Sequence, residues 1–178
     1  MTDTIRASWL KTQYVEAMTF AQRSDVLNLV PISGDPPHKY IAKFDCGGLA
    51  ETEAGIAVID QHLVGIYFPE EYQRTPCDPG QVLTWLEPRN EFHPNIRAPL
   101  CCVGPIPPGM SLLNLLHQLF AMITWQKFTP LEYNALNAAA CSWARANLDS
   151  LPVDPRRSML NGDPVQSAGD NTGENGHG

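Results

Sequence analysis

A segment rich in proline divides this chain into two parts of different character. Residues 88–109 contain six prolines, at positions 88, 94, 99, 105, 107 and 108. Proline fixes φ and lacks an N–H donor, so the segment is predicted to form neither a helix nor a central strand. A loop of this length inside a compact domain is uncommon and often carries function. It contains His93, Asn95, Cys101 and Cys102, which makes it the first candidate for chemistry.

The part before this segment predicts one helix followed by short strands. Residues 4–23 place apolar side chains at helical spacing, as in Leu10, Tyr14 and Met18. The runs that follow are rich in β-forming residues, are joined by turn residues, and span 25–32, 39–46, 56–59, 63–68 and 81–86. Short strands joined by short turns are typical of an antiparallel meander.

The part after the segment predicts two helices. Residues 112–125 are apolar nearly all round, which is typical of a buried helix. The second helix is predicted to start with Thr129 as N-cap, Pro130 in the first turn and Glu132 completing a capping box, and to run to about residue 148. Strands followed by helices indicate an α+β fold.

Composition favours one folded domain with a tail. The chain has 178 residues and is 43% hydrophobic, which is enough for one core. Residues 161–178 contain five glycines and no aromatic residue, leucine or isoleucine. The expected boundaries are therefore one folded domain at 1–152 and a disordered tail, rich in glycine and polar residues, at 153–178.

Charge and hydropathy limit the expected partners and location. The chain carries 12 Lys and Arg against 19 Asp and Glu, a net charge of −7, which argues against a nucleic-acid partner. No apolar run approaches the roughly 20 residues that span a bilayer, and the first residues lack the pattern of a secretory signal. We therefore expect a cytoplasmic protein without a membrane partner.

The chain has five cysteines, at positions 46, 77, 101, 102 and 141. They form no C-x-x-C pair and no Cys/His cluster with zinc spacing, so no metal or cofactor is predicted. Free thiols in a reducing compartment are the simplest interpretation. One of these thiols is then a candidate for chemistry.

The order of motifs along the chain carries a family resemblance. Phe92-His93-Pro94-Asn95-Ile96 is followed by Leu100-Cys101, after the strands and before two helices. This set resembles the ubiquitin-conjugating enzymes, in which a helix and a four-stranded antiparallel meander precede a His-Pro-Asn motif and the active cysteine. The resemblance covers roughly residues 4–150. It implies a ubiquitin-conjugating-like fold with an N-terminal helix, that meander, a Cys-bearing loop and two C-terminal helices.

The same resemblance implies the site residues. Cys101 would form the thioester, Asn95 would brace the loop and offer an amide donor to the oxyanion, and His93 would be mainly structural. Cys102 remains an alternative nucleophile, because its spacing from His93 is nearer to the family's, whereas the preceding Leu100 favours Cys101. Taken alone, Asn95 would be an ordinary turn residue.

The resemblance also implies a transferase activity and its partners. The chain would accept the C-terminus of a ubiquitin-like protein from an activating enzyme and pass it to an amine, usually a lysine, of a protein target. The N-terminal helix would meet the activating enzyme through Arg6, Lys11 and Arg23, although a solvated face is an equal interpretation. The short, diverged form is similar to bacterial members, which often act in antiviral defence.

Two departures from the family pattern keep other functions open. Thr129 stands where many members have an acidic residue that activates the attacking lysine, and Glu132 is the nearest substitute. A catalytically silent module that binds a ubiquitin-like protein is therefore the alternative function. A third hypothesis is an unrelated cysteine hydrolase using Cys101 with His93 or His117.

Overall fold

The computed structural model describes residues 3–154 and residue 159. Helix α1 spans Thr4–Ala21, as the apolar spacing predicts. The Asp3 carboxylate caps it by accepting hydrogen bonds from the N–H groups of Ile5 and Arg6, at 3.1 and 3.2 Å. The helix buries Leu10 and Ala17 in the main hydrophobic core.

Four strands form one antiparallel sheet in the order β1-β2-β3-β4. Their bounds are Leu27–Gly34, Pro37–Thr52, Gly55–Tyr67 and Leu83–Glu87. Each strand pairs with the next along the chain, so the predicted meander is confirmed.

Several strand boundaries differ from the sequence prediction. The run 39–46 belongs to β2, which continues to Thr52. The runs 56–59 and 63–68 belong to the single strand β3, because Gln61 and His62 between them continue the pairing with β2. The run 81–86 begins as a short helix, α2, at Pro79–Val82. Asp78 and Gln81 form a capping box for this helix, so strand β4 starts only at Leu83.

The proline-rich segment contains a small hairpin and leads into the C-terminal helices. Strands β5 and β6 span Ile96–Arg97 and Leu100–Cys101 and pair with each other. Helix α3 spans Leu112–Ile123, with Ser111 as its N-cap. Helix α4 spans Ala138–Ala146, and short 3-10 turns lie at Glu132–Asn134 and Leu148–Ser150.

The prediction that Thr129 caps the last helix is wrong. Helix α4 begins at Ala138, and the Asn137 side chain caps it by accepting from the Ala140 N–H at 3.1 Å. Thr129 is instead held by the side chain of Asn95, which bonds both its backbone N–H and its hydroxyl. Glu132, the expected partner in the capping box, forms an ion pair with Arg145.

The core has two parts. The main cluster joins the inner face of the sheet to α1 and to α3, which contributes the fully buried Leu112, Leu115, Leu116 and Leu119. A smaller cluster under α4 contains Leu49, Phe92, Trp125, Ala140 and Ala144. This second cluster lies next to the His-Pro-Asn segment and supports it.

The predicted tail lies mostly outside the described residues. Within it, residues 153, 154 and 159 are described. Met159 is buried in the main core, and its carbonyl accepts a 2.6 Å hydrogen bond from the Ser24 hydroxyl. Within the described residues, no helix combines the length and the apolar character that crossing a bilayer requires.

Candidate functional site

The His-Pro-Asn motif forms a tight turn at the start of strand β5. His93 and Ile96 form an isolated antiparallel bridge, and the Ile96 N–H donates to the His93 carbonyl at 3.1 Å. Pro94 and Asn95 occupy the corner, where proline's fixed φ and asparagine's local hydrogen bonding are both favoured. The turn thus directs the Asn95 side chain toward Cys102, the residue that follows β6.

The hairpin places the two adjacent cysteines in different surroundings. Cys101 is paired with Ile96 in the β5–β6 ladder, is only 2% exposed and packs in the main core. Cys102 is half-buried at the end of the strand. Successive side chains of a strand point to opposite faces, so burial of one favours exposure of the other.

Asn95 ties the turn to Cys102 through both backbone and side chain. The Cys102 N–H donates to the Asn95 carbonyl at 2.9 Å, and Asn95 Nδ2 donates to the Cys102 carbonyl at 3.0 Å. The same Nδ2 donates to Thr129 Oγ1 at 2.7 Å, while Asn95 Oδ1 accepts from the Thr129 N–H at 2.8 Å. Both amide hydrogens and the amide oxygen therefore have protein partners.

His93 supports the turn from inside the protein. It is fully buried, and its Nδ1 accepts from the Asn95 N–H at 3.0 Å, so the ring proton resides on Nε2. Burial lowers the pKa of His93 to about 3, although the nearby Met122 backbone opposes this shift. The imidazole packs against Trp125, with ring centroids 4.4 Å apart. His93 is thus a neutral structural histidine at physiological pH.

Burial also separates the two thiols chemically. It raises the pKa of Cys101 to about 12, and the neighbouring Cys102 adds to that shift. A thiolate is the nucleophilic form of cysteine, so Cys101 has almost none of it near neutral pH. Of the two cysteines, only Cys102 combines proximity to Asn95 with access to solvent.

Residues from α4 and from the loop between α3 and α4 hold the site from the other side. Lys127 Nζ donates to the Val103 carbonyl at 2.9 Å, directly after Cys102. The Asn137 N–H donates to the Pro94 carbonyl at 3.1 Å, and the Cys141 thiol lies 3.3 Å from the Thr129 carbonyl. The loop that carries Thr129 is therefore fixed at its position beside Asn95.

The structure brings together residues that the sequence patterns did not connect. Thr129 was assigned only a capping role, and Trp125 and Lys127 had no assigned function. Trp125 is buried with a positive φ of 59°, an unusual conformation for a bulky residue. No local pattern marks these residues, because their roles depend on chain segments that meet only in the folded protein.

The proposed hydrolase constellation does not assemble. His117 lies on α3 and packs against Phe20 of α1, with ring centroids 5.2 Å apart. His93 is buried, and its Nδ1 is already an acceptor for Asn95.

In the part of the chain that the structure describes, no group of three His, Cys, Asp or Glu residues is arranged to hold a metal ion.

No protein-family model matches this sequence, and no curated protein is significantly similar to it. The site therefore has to be interpreted from its own geometry.

Proposed function

We propose that this protein is a ubiquitin-conjugating-like transferase that carries the C-terminus of a ubiquitin-like protein as a thioester. The supporting observation is the reciprocal bonding of Asn95 and Cys102, which braces a half-exposed cysteine with the amide of the His-Pro-Asn turn. The α+β architecture, with a helix before a four-stranded meander and helices after the Cys-bearing loop, is compatible with that family's fold.

The geometry favours Cys102 over Cys101 as the nucleophile. The thioester partner is a protein, so the sulfur must be reachable by a second macromolecule. Cys101 is 2% exposed and its thiol pKa is raised to about 12, both of which oppose this role. Cys101 instead fills the inward position of β6 as a small apolar side chain.

The chemistry consists of two acyl transfers. In the first, the Cys102 sulfur attacks the carbonyl carbon of the modifier's thioester on the activating enzyme. A C–S bond forms, the π electrons move to oxygen, and collapse of this intermediate releases the activating enzyme's thiol. In the second, an amine of the target attacks the same carbon, a C–N bond forms, the C–S bond breaks, and the amine proton passes to solvent.

The brace around Cys102 suits this chemistry. The Asn95 carbonyl holds the Cys102 N–H on one side, while Asn95 Nδ2 and Lys127 Nζ hold the Cys102 and Val103 carbonyls on the other. A fixed backbone limits the positions of the sulfur and lowers the entropic cost of reaching a reactive geometry. His93 contributes by holding the Asn95 backbone N–H.

The test is an intact-mass assay of charging. The protein is mixed with ATP, a ubiquitin-like protein and the activating enzyme for that modifier, using a panel of such pairs. The wild type should gain one modifier through a thiol-sensitive bond, and Cys102→Ser should give a thiol-resistant ester. Cys101→Ser serves as the matched control and should still form the thioester.

The other outcomes have defined meanings. A thiol-resistant ester in Cys101→Ser would keep the function and move the nucleophile to Cys101. If the activating enzymes become charged but no variant gains a modifier, the proposal is contradicted. Co-purification of an uncharged complex with one modifier in that case would support the silent binding module.

A further inference from the structure

The hydroxyl of Thr129 lies near the backbone of Cys102, and the mechanism described so far gives it no role. Asn95 Nδ2 lies 3.0 Å from the Cys102 carbonyl and 2.7 Å from Thr129 Oγ1, so one nitrogen joins both residues. Thr129 is 34 residues from Asn95 along the chain and is only half-buried. Thr129 therefore lies at the edge of the core, beside the His-Pro-Asn turn.

The hydrogen-bonding capacity of the site points to this hydroxyl. An amide nitrogen has two hydrogens, and Asn95 donates both of them to protein oxygens. Thr129 Oγ1 accepts a hydrogen bond from Asn95 Nδ2, and the Thr129 N–H donates to Asn95 Oδ1. The Thr129 carbonyl accepts from the Cys141 thiol. Among the described residues, none accepts a hydrogen bond from the Thr129 hydroxyl.

We propose that Thr129 is a catalytic residue that donates this hydrogen bond to the oxyanion formed at Cys102. The inference rests on the proposed acyl-transfer function. When a nucleophile attacks the acyl carbon, the carbonyl π electrons move to oxygen, and the hydroxyl hydrogen of Thr129 stabilises the charge without transferring its proton. Collapse of the intermediate restores the carbonyl and expels the leaving group. Asn95 then orients Thr129 and the Cys102 backbone instead of contacting the oxyanion.

Donation by Asn95 polarises the hydroxyl for this role. A hydroxyl that accepts a hydrogen bond becomes a better donor, because linked hydrogen bonds strengthen each other. The Thr129 backbone is bonded at both its N–H and its carbonyl, so the donor is fixed before the charge develops. A preorganised donor of this type contributes about 100-fold or more to the rate of acyl transfer in other enzymes.

The experiment uses a small acyl donor, so that it does not depend on the modifier. The full-length protein is acylated with p-nitrophenyl acetate, phenolate release is followed by absorbance, and the acyl-enzyme is then discharged with hydroxylamine under intact-mass detection. Cys102→Ser is the blank for the site. Thr129→Val, which keeps the shape of threonine, should slow acylation and discharge by about 100-fold or more. Thr129→Ser should stay within about threefold of wild type.

A double-mutant cycle separates donation to the oxyanion from a purely structural role. If Thr129 only accepts from Asn95, then Thr129→Val should cost nothing more in an Asn95→Ala background. Our assignment expects a further loss of rate in that background, and its absence would overturn the proposal. Thermal melting shows that each variant is folded, and Asn95→Ser replaces Asn95→Ala if the latter unfolds.

Failure of this inference is distinct from failure of the proposed function. Equal acylation and discharge rates in wild type and Thr129→Val would overturn the role of Thr129, even if modifier charging succeeds. Labelling of Cys102→Ser at the wild-type rate would overturn it as well, because the acyl group would then reside elsewhere. Failure of every modifier to charge Cys102, with normal acetyl transfer, would instead contradict only the conjugating function.

Discussion

The side chain of Asn95 and the residue Thr129 are joined by two hydrogen bonds, one from Thr129 N–H to Oδ1 at 2.8 Å and one from Nδ2 to Thr129 Oγ1 at 2.7 Å. This contact connects the His-Pro-Asn turn to the loop between α3 and α4. The loop therefore contributes a polar group to the site instead of starting a helix.

The two adjacent cysteines should differ strongly in reactivity. We expect iodoacetamide at pH 7.5 to alkylate Cys102 in the native protein, and Cys101 to react at a comparable rate only after unfolding. The physical reason is the 2% exposure of Cys101 and the rise of its thiol pKa to about 12. Peptide mass mapping measures both rates in one sample, and the Cys102→Ser variant serves as the control. Rapid native labelling of Cys101 in that variant would contradict the burial argument.

Replacing Asn95 with aspartate should destabilise the protein markedly. The carboxylate cannot donate to Thr129 Oγ1 or to the Cys102 carbonyl, and it places negative charge against that carbonyl oxygen. We expect Asn95→Asp to lower the free energy of unfolding by about 2–3 kcal/mol, measured by urea denaturation. Asn90→Asp is the matched control, since it removes one exposed hydrogen bond to the Glu51 carbonyl. Equal losses in the two variants would mean that the Asn95 contacts contribute little.

Stability should fall at acidic pH because His93 stays neutral when folded. Its folded pKa is about 3 against 6.5 for a free histidine. Below pH 6.5 the unfolded chain binds a proton that the folded protein excludes, so stability is fully present above pH 6.5 and is lost as pH falls toward 3. The expected slope from this group is about 1.4 kcal/mol per pH unit.

An NMR titration of the imidazole checks the His93 prediction directly. The His93 ring resonances should remain those of the neutral Nε2–H tautomer at pH 4.5. His93→Asn, which keeps an acceptor for the Asn95 N–H, should show a shallower loss of stability between pH 6.5 and 5. Protonation of His93 near pH 6 in the folded protein would contradict this prediction.

The buried His62–Glu91 pair packs against Gly48, and substitutions at Gly48 and Gly47 test how tight this packing is. His62 Nδ1 lies 3.0 Å from Glu91 Oε2, and both side chains are at most 1% exposed. A Cβ at Gly48 would lie 2.5 Å from His62 Cε1 and 3.1 Å from Glu91 Oε1, whereas one at Gly47 would meet only Val58 Cγ1 at 3.9 Å. Gly48→Ala should therefore destabilise the protein by about 1–3 kcal/mol.

Gly47→Ala is the control for that substitution and should change stability by less than about 1 kcal/mol. Thermal and urea unfolding of the two variants give the comparison. If Gly48→Ala is no more destabilising than Gly47→Ala, then the His62–Glu91 pair has room to move.

The sequence alone established the order of elements in this protein. Helix α1, the antiparallel meander and the buried helix α3 follow from local periodicity, since each buries a face that its own residue spacing defines. The proline-rich segment also identified where the candidate site lies, because its composition excludes regular structure over most of its length. His93 and Asn95 could be predicted from the sequence because they belong to one contiguous motif, His93-Pro94-Asn95.

The tertiary structure alone decided the surroundings of Cys101, Cys102 and Thr129. The two cysteines are neighbours in sequence, and only the pairing of Cys101 with Ile96 determines which side chain faces the core. Thr129 has a complete local capping signal, but its N–H and hydroxyl bind Asn95, which is distant along the chain. Local patterns report the preferences of a segment by itself, whereas hydrogen bonds between distant segments form only when packing brings their partners together.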